Sequence, residues 1–167
     1  SVVNENIIWA AGTSGTVCKS TTGGKSFHCI PVKGNEKADF RSIYAFNSEK
    51  AIVANVGSPA KIFFTEDGGS KWMEVFSNHH KDAFIDGIDF WDEKNGIAFG
   101  DPIDGKMLLA VTADGGKTWN EISEASRPIL KPGEASFAAS GTTIRCFENG
   151  KVMIATGGTV SRLFISA

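Results

Sequence analysis

The sequence contains no apolar stretch approaching the roughly 18 residues of a membrane-crossing helix. It has no basic run longer than two residues, and its formal net charge is -2. A membrane-spanning helix is therefore not expected. Nor is there a positive surface to attract a nucleic-acid backbone. The opening SVVNENIIWAAG lacks the basic start and apolar centre of a signal peptide, which is no guide to what a longer precursor carries. Stretches rich in alanine, leucine and glutamate are missing, so long helices are not expected. Cysteine is scarce at 3 residues, with no Cys-x-x-Cys and no Cys/His set at metal-ligand spacing. No Gly-x-Gly-x-x-Gly follows a strand, which removes the dinucleotide fingerprint, and no Gly-x-Ser-x-Gly provides a nucleophile elbow. No cofactor and no metal are expected.

What is present is glycine, 19 residues in 167, and a series of short apolar runs. These are Ile7–Trp9, Ala51–Ala54, Lys61–Phe64, Ile97–Phe99, Met107–Val111 and Val152–Ala155. Each is bounded by Gly, Asn, Asp or Pro, the pattern of strands separated by turns. Hydrophobic content of 41% and charged content of 22% are ordinary for one globular domain, here of the all-β class.

The runs belong to a repeat. TADGGKTW at 112–119 is nearly reproduced by TEDGGSKW at 65–72 and echoed by STTGGKSF at 20–27. The closing aromatics Phe27, Trp72 and Trp119 are 45 and then 47 residues apart. The flanks repeat as well: IYAFN at 43–47 corresponds to IDFWD at 88–92, and KAIVA at 50–54 to NGIAF at 95–99. Each unit reads strand, turn, strand, loop, strand, Gly-Gly turn, strand. Four strands in about 40–50 residues is the unit of a β-propeller blade.

The string Ser/Thr-x-Asp-x-Gly-x-Thr-Trp resembles the Asp-box, or bacterial neuraminidase repeat. TADGGKTW fits every position, TEDGGSKW departs at Lys71, and STTGGKSF has Thr22 for the Asp and Phe27 for the Trp. The blade length and the repeat resemble extracytoplasmic Asp-box propellers related to photosystem II assembly factors and to sialidases. The expected fold is therefore a partial β-propeller of about 3.5 four-stranded blades, approximately 1–32, 38–76, 83–122 and 134–167. It corresponds to part of a seven-bladed ring or to a half-ring that oligomerises. Open end blades would leave exposed edges and favour self-association.

The resemblance places each box in the hairpin between the third and fourth strands. Gly supplies the positive φ of the turn, and the carboxylates of Asp67 and Asp114 accept turn amides. The aromatics, Trp72 and Trp119, pack between blades. This structural role is preferred to a catalytic acid or calcium ligand, because Thr22 serves in the third turn. Strand ends of the last blade are expected at Ser136–Ala139, Ile144–Phe147, Val152–Ala155 and Arg162–Ile165.

The loops opposite the boxes form the candidate binding face. Its densest polar cluster is His79, His80, Asp82, Asp86, Asp101 and Asp104. Asp86 enters an innermost strand near the channel mouth, and Arg41 stands 45 residues earlier at the same place. The two could clamp a polar ligand or pair with each other. His79 and His80 could meet a metal with Asp101 or Asp104, but exposed neighbouring histidines are more simply solvated. Asp101 and Asp104 are read as turn-capping residues, since the EF-hand spacing is absent.

The function expected is a non-catalytic, extracytoplasmic recognition or assembly scaffold for a protein or glycan ligand. The alternative is a sialidase-like glycoside hydrolase. That chemistry requires an arginine triad, a Tyr nucleophile and acid/base carboxylates. The chain has one tyrosine, Tyr44, and four arginines, with Ser-Ile after Arg41 where sialidases carry Ile-Pro.

Cys18 and Cys29 flank the degenerate box. If Ser20 faces Phe27 across the hairpin, the two cysteines are also opposite one another, as a disulfide or as two small buried side chains. Thiol titration of unreduced protein distinguishes them: the bridge leaves Cys146 as the single thiol, and three thiols would exclude it.

Overall fold

The computed structural model describes residues 1–138, 142–148 and 150–166. Its regular structure is almost entirely antiparallel sheet. Blade I comprises β1 (Ile8–Ala11), β2 (Thr16–Ser20) and β3 (His28–Pro31). An isolated antiparallel bridge joins Val2 to Ile8. Blade II comprises β4 (Phe40–Ala45), β5 (Ala51–Asn55), β6 (Ala60–Thr65) and β7 (Met73–Asn78), paired in that order. Blade III repeats the arrangement with β8 (Ile85–Phe90), β9 (Gly96–Ile103), β10 (Lys106–Thr112) and β11 (Asn120–Glu121).

The rest of the chain adds β12 (Glu134–Ala135), β13 (Ile144–Cys146), β14 (Val152–Ala155), β15 (Gly157–Gly158) and β16 (Leu163–Ile165). Blade IV is β13, β14 and β16, and β12 pairs separately with β15. All six apolar runs named above supply strand residues. The strand expected at Ser136–Ala139 is displaced. Residues 136–138 are irregular, Ala139 lies outside the described residues, and Glu134–Ala135 make the ladder instead. The cause is the Glu134 carboxylate, which takes the Lys131 amide, the Thr156 hydroxyl and the Arg162 guanidinium and so fixes the register two residues early.

The core consists of three clusters, each lying between two blades. Trp9, Val17 and Val32 of blade I meet Phe40, Val53 and Phe63 of blade II. Ile52, Ile62 and Phe64 on the other face of blade II meet Ile88, Phe90 and Leu108 of blade III. Ile97, Phe99 and Leu109 meet Ile144, Val152 and Ile154 of blade IV. Side chains alternate across a strand. Val53 therefore points to blade I while its neighbour Ile52 points to blade III. With both faces covered, β5 is apolar at successive positions rather than alternating.

The repeated Gly-Gly turn closes the last two strands at one end of blades I, II and III. The Thr112 hydroxyl donates to Asp114 Oδ1 at 2.8 Å and accepts the Gly116 amide at 3.0 Å. Asp114 Oδ1 also accepts the Lys117 and Thr118 amides, and Oδ2 accepts the Thr118 hydroxyl at 2.7 Å. Thr65 and Asp67 repeat the arrangement, with the Lys71 amide on Asp67 at 2.9 Å. In the degenerate turn, the Thr22 hydroxyl takes the Ser26 amide at 3.0 Å. A hydroxyl can thus replace the carboxylate, at the loss of the second amide. Both glycines of each turn have positive φ, 76° and 88° at Gly115 and Gly116, which other residues adopt only with strain.

The closing aromatics differ in depth. Trp119 is buried in the cluster between blades II and III, edge-on to Phe90 at 5.9 Å. Trp72 meets Trp9 of blade I edge-on at 6.4 Å. Cys18 and Cys29 are ladder partners with Cα atoms 4.0 Å apart, and their sulfurs are bonded.

Burial opposes ionisation of Asp114, but the hydrogen bonds from Thr118, Thr112 and Lys117 outweigh it and hold its pKa below the ordinary carboxylate value. Its stabilisation is present above pH about 4 and is lost as pH falls through the depressed folded value. Asp114→Ala should cost about 1–3 kcal/mol at neutral pH in urea unfolding. The difference from the parent protein should shrink in acid.

Candidate functional site

The inner strands run side by side, β4 beside β8 and β8 beside β13. The side chains that they turn away from the blade interfaces line a groove of about 520 Å³. Tyr44, Asp89 and Arg145 occupy the same ladder position on the three strands, opposite Ile52, Ile97 and Met153. All three face the groove, with Arg41 at its mouth. Asp89 is almost buried, and accepts the Phe90 amide on Oδ1 at 2.9 Å and the Cys146 amide on Oδ2 at 2.8 Å. The second bond ties β8 to β13. The Arg145 guanidinium stands 4.0 Å from Asp89 with its side chain 65% exposed, so most of its donors face solvent. Burial, and then the negative charge of Asp89, raise the pKa of Tyr44.

Arg41 and Asp86 do share one position in the repeat, and the structure gives a reason for its distinctness. Both sit in register shifts, between Phe40 and Ser42 in β4 and between Ile85 and Gly87 in β8. A bulge of this kind re-aims one side chain. At Gly100, opposite the second bulge, a Cβ would run into the Phe84 carbonyl oxygen, so only glycine admits the approach.

The two side chains nevertheless diverge. Arg41 is half-exposed in the groove mouth and pairs with Asp39 at 2.9 Å. Asp86 turns inward and is 1% exposed. The expected pairing or joint clamp of Arg41 with Asp86 is therefore not formed. The Asp86 carboxyl receives the Asp101 amide, while its backbone carbonyl receives the Ser42 hydroxyl at 3.1 Å. Its Oδ2 atom has no protein partner. Burial first, and then the nearby Asp101 charge, push its pKa up to about 8. Asp101 accepts the Ser136 amide at 3.0 Å, and burial raises its pKa also.

The remaining residues of the expected cluster separate from this buried pair. His79 bonds Ser77 at 3.1 Å, not Asp101. His80 lies 3.9 Å from both Asp82 and Asp104, in exposed loops. Asp104 sits with positive φ in the tight turn before β10, followed by Gly105. Asp82 and Asp101 do share a shallow pocket of about 390 Å³ with Gly57 and Ser58 from blade II. Among the described residues, no group of three or more His, Cys, Asp or Glu side chains is placed to hold a metal ion.

Asp67, Trp72, Asp114 and Trp119 lie in the turns at the opposite end of the blades from these loops, engaged as described above. Asp89 and Arg145 were missed as groove residues. The signal was the same offset of 45 that links Arg41 to Asp86, since it also carries Tyr44 to Asp89.

No protein-family model and no curated protein sequence matches the chain. Solved structures do. YCF48 from Cyanidioschyzon merolae is similar over 99% of this chain and 53% of its own, with a TM-score of 0.61 at 16% identity. An ancestral GH74 enzyme is similar over 99% of this chain and 23% of its own, with a TM-score of 0.62 at 20% identity. The K499G mutant of NanB sialidase from Streptococcus pneumoniae is similar over 90% and 25%, with a TM-score of 0.58 at 18% identity. The fold is a β-propeller. The chain spans about half the length of YCF48 and about a quarter of the two enzymes. No helix among the described residues is long and apolar enough to cross a membrane.

The carboxyl of Asp86 sets a pH dependence. Its folded pKa lies above the ordinary value, so its favourable contribution is complete below pH about 4 and is lost as pH rises through about 8. Asp86→Asn should flatten the fall of the melting temperature across that window. An unchanged pH profile would mean that Asp86 is not held protonated.

Proposed function

We propose that this chain is a non-catalytic recognition or assembly scaffold of the Asp-box propeller type, working outside the cytoplasm. Its ligand is a protein segment bearing a carboxylate, held at the mouth of the groove between the inner strands and by the adjoining loops. The observation that carries this reading is the division of labour among the charged groups of the groove. Asp89 is committed to backbone amides of β8 and β13, while the Arg41 and Arg145 side chains are 50% and 65% exposed. Arg145 in that state offers paired donors to a planar anion, whereas Arg41 already gives Nε and Nη2 to Asp39 and adds its remaining Nη donors. A YCF48 structure with the same fold was solved bound to D1 peptide, at 16% identity to this chain, which is consistent with peptide recognition on such a scaffold. A glycan is the other ligand class that the polar loops could take.

The sialidase-like reading gains one observation. Tyr44, the only tyrosine, faces the same groove as Arg41 and Arg145. A phenol nucleophile must lose its proton, and a neighbouring base or cation assists this. Burial and the Asp89 charge outweigh the Arg145 cation and raise the Tyr44 pKa, and both Asp89 oxygens already accept backbone amides. Binding without covalent chemistry is therefore favoured.

An array of synthetic acidic peptides, followed by titration of the retained sequences, tests the proposal. Arg41→Ala and Arg145→Ala should each weaken binding about tenfold, with unchanged melting. Hydrolysis of a sialoside by the purified chain, abolished by Tyr44→Phe, would overturn the binding reading.

A further inference from the structure

A second cluster of oxygens lies at the loop end of blade III, outside the lining of the groove. The bulges at Arg41 and Asp86 are built on one frame. Phe40 pairs with Asn55 beside the first, and Ile85 with Gly100 beside the second. The residues that follow, Val56 and Asp101, are again 45 apart. Blade II fills this frame with an outward arginine and a valine, whereas blade III fills it with two carboxylates. The backbone feature therefore forms without the acids, and their pairing in blade III has a separate cause.

Two polar atoms around that pair are shut away from water with no hydrogen-bond partner among the described residues, Asp86 Oδ2 and Ser136 Oγ. Their residues are 1% and 6% exposed. Asp101 connects them: its amide serves the Asp86 carboxyl, and its Oδ1 accepts the Ser136 amide at 3.0 Å. Neither protonation state satisfies Asp86 Oδ2. An ionised oxygen there lacks a donor, and a protonated one lacks an acceptor, so either leaves a buried polar atom at a cost in stability. A water molecule would answer the two orphaned oxygens but leave two neighbouring carboxylates in a poorly solvated place. A cation answers both. Asp101 also lines the shallow pocket of about 390 Å³ shared with Gly57 and Ser58, which provides an entry path and room for coordinating water.

We propose that Asp86 Oδ2, the Asp101 carboxylate and Ser136 Oγ hold a divalent cation of the calcium type, with water from the pocket completing its shell. The set has two acidic side chains and a hydroxyl, so it differs from the groups of three His, Cys, Asp or Glu ligands excluded above. Its donors are all oxygens, which selects a hard cation over zinc or copper. Calcium accepts irregular sets of about six to eight oxygens, whereas magnesium demands a near-regular octahedron. Two carboxylates match the charge of the ion. In the chain without the ion, the proton assigned to Asp86 above stands in its place. Bound there, the ion ties β8 and β9 of blade III to the segment that follows β12.

The test is a titration of the EDTA-treated whole chain with calcium chloride, read by melting temperature and by amide NMR spectra. Calcium at about one hundred times its Kd should raise the melting temperature by about 5–10 °C. The largest amide shifts should fall at Asp101 and Ser136, whose N–H groups donate to the two carboxylates. Asp86→Asn should keep the fold and lose the calcium-dependent rise. Ser136→Ala retains the amide bond to Asp101 and should weaken calcium binding by about tenfold or more, at least the loss seen on removing an outer-shell partner. The proposal is overturned if saturating calcium moves neither the melting temperature nor the two amides, or if Asp86→Asn binds calcium as the parent does. Loss of binding in Asp82→Asn with Asp86→Asn unaffected would place the ion among the exposed loops and overturn it as well.

Discussion

The sheets of blades II and III each present two apolar faces, and both must be covered. A single strand therefore serves two cores at once, as β5 does with Val53 on one side and Ile52 on the other. This requirement explains the features that follow from it. Strand runs are short and apolar at successive positions, and the closing aromatics are available to plug the seam between neighbours. Glycines fall where a turn must lie flat on the next blade. At Gly116, the same residue satisfies the backbone's need for positive φ and the packing need for no side chain against Ile52. Neither need alone would fix the position so tightly.

Inner strands carry an additional burden, because the edge they present to the axis is not covered by another sheet. Polar side chains gather there, and the structure divides them between binding the protein together and facing solvent. Asp89 stitches β8 to β13 through the Cys146 amide. Arg145 beside it remains available. The bulges at Arg41 and Asp86 make the same division between blades. One backbone device sends an arginine outward in blade II and a carboxyl inward in blade III. Function in such a scaffold is set by the side chain placed on a repeated backbone feature, not by a change of the feature.

The strand runs, the period and the turn chemistry were legible in the sequence because each is local. The turn from Thr112 to Trp119 announces its own geometry through residues within reach of one another. The direction of a side chain at a bulge is not local. Asp86 reads as a channel residue by offset, yet its burial depends on Ser42 in β4 and on Asp101 and the missing Cβ at Gly100 in β9, contributed from two separate stretches. The loop cluster was overestimated for a similar reason. His80 and Asp82 are close in the chain and Asp104 joins them in space, but His79 and Asp101 point elsewhere. The displaced strand near residue 136 reflects the Glu134–Arg162 pair, whose partners are 28 residues apart.

The three seams between blades lie in series, and each blade touches only those beside it. Cohesion in such an arrangement is a sum over nearest neighbours, as in a stack of coins and unlike a drop with one centre. Blade II shares one cluster with blade I and another with blade III, and blade III shares a further one with blade IV. The Cys18–Cys29 bond crosses the ladder within blade I, so it acts as a local clasp on one member of the stack. A clasp of this kind stiffens its own blade and reaches the others only through the seam shared with blade II.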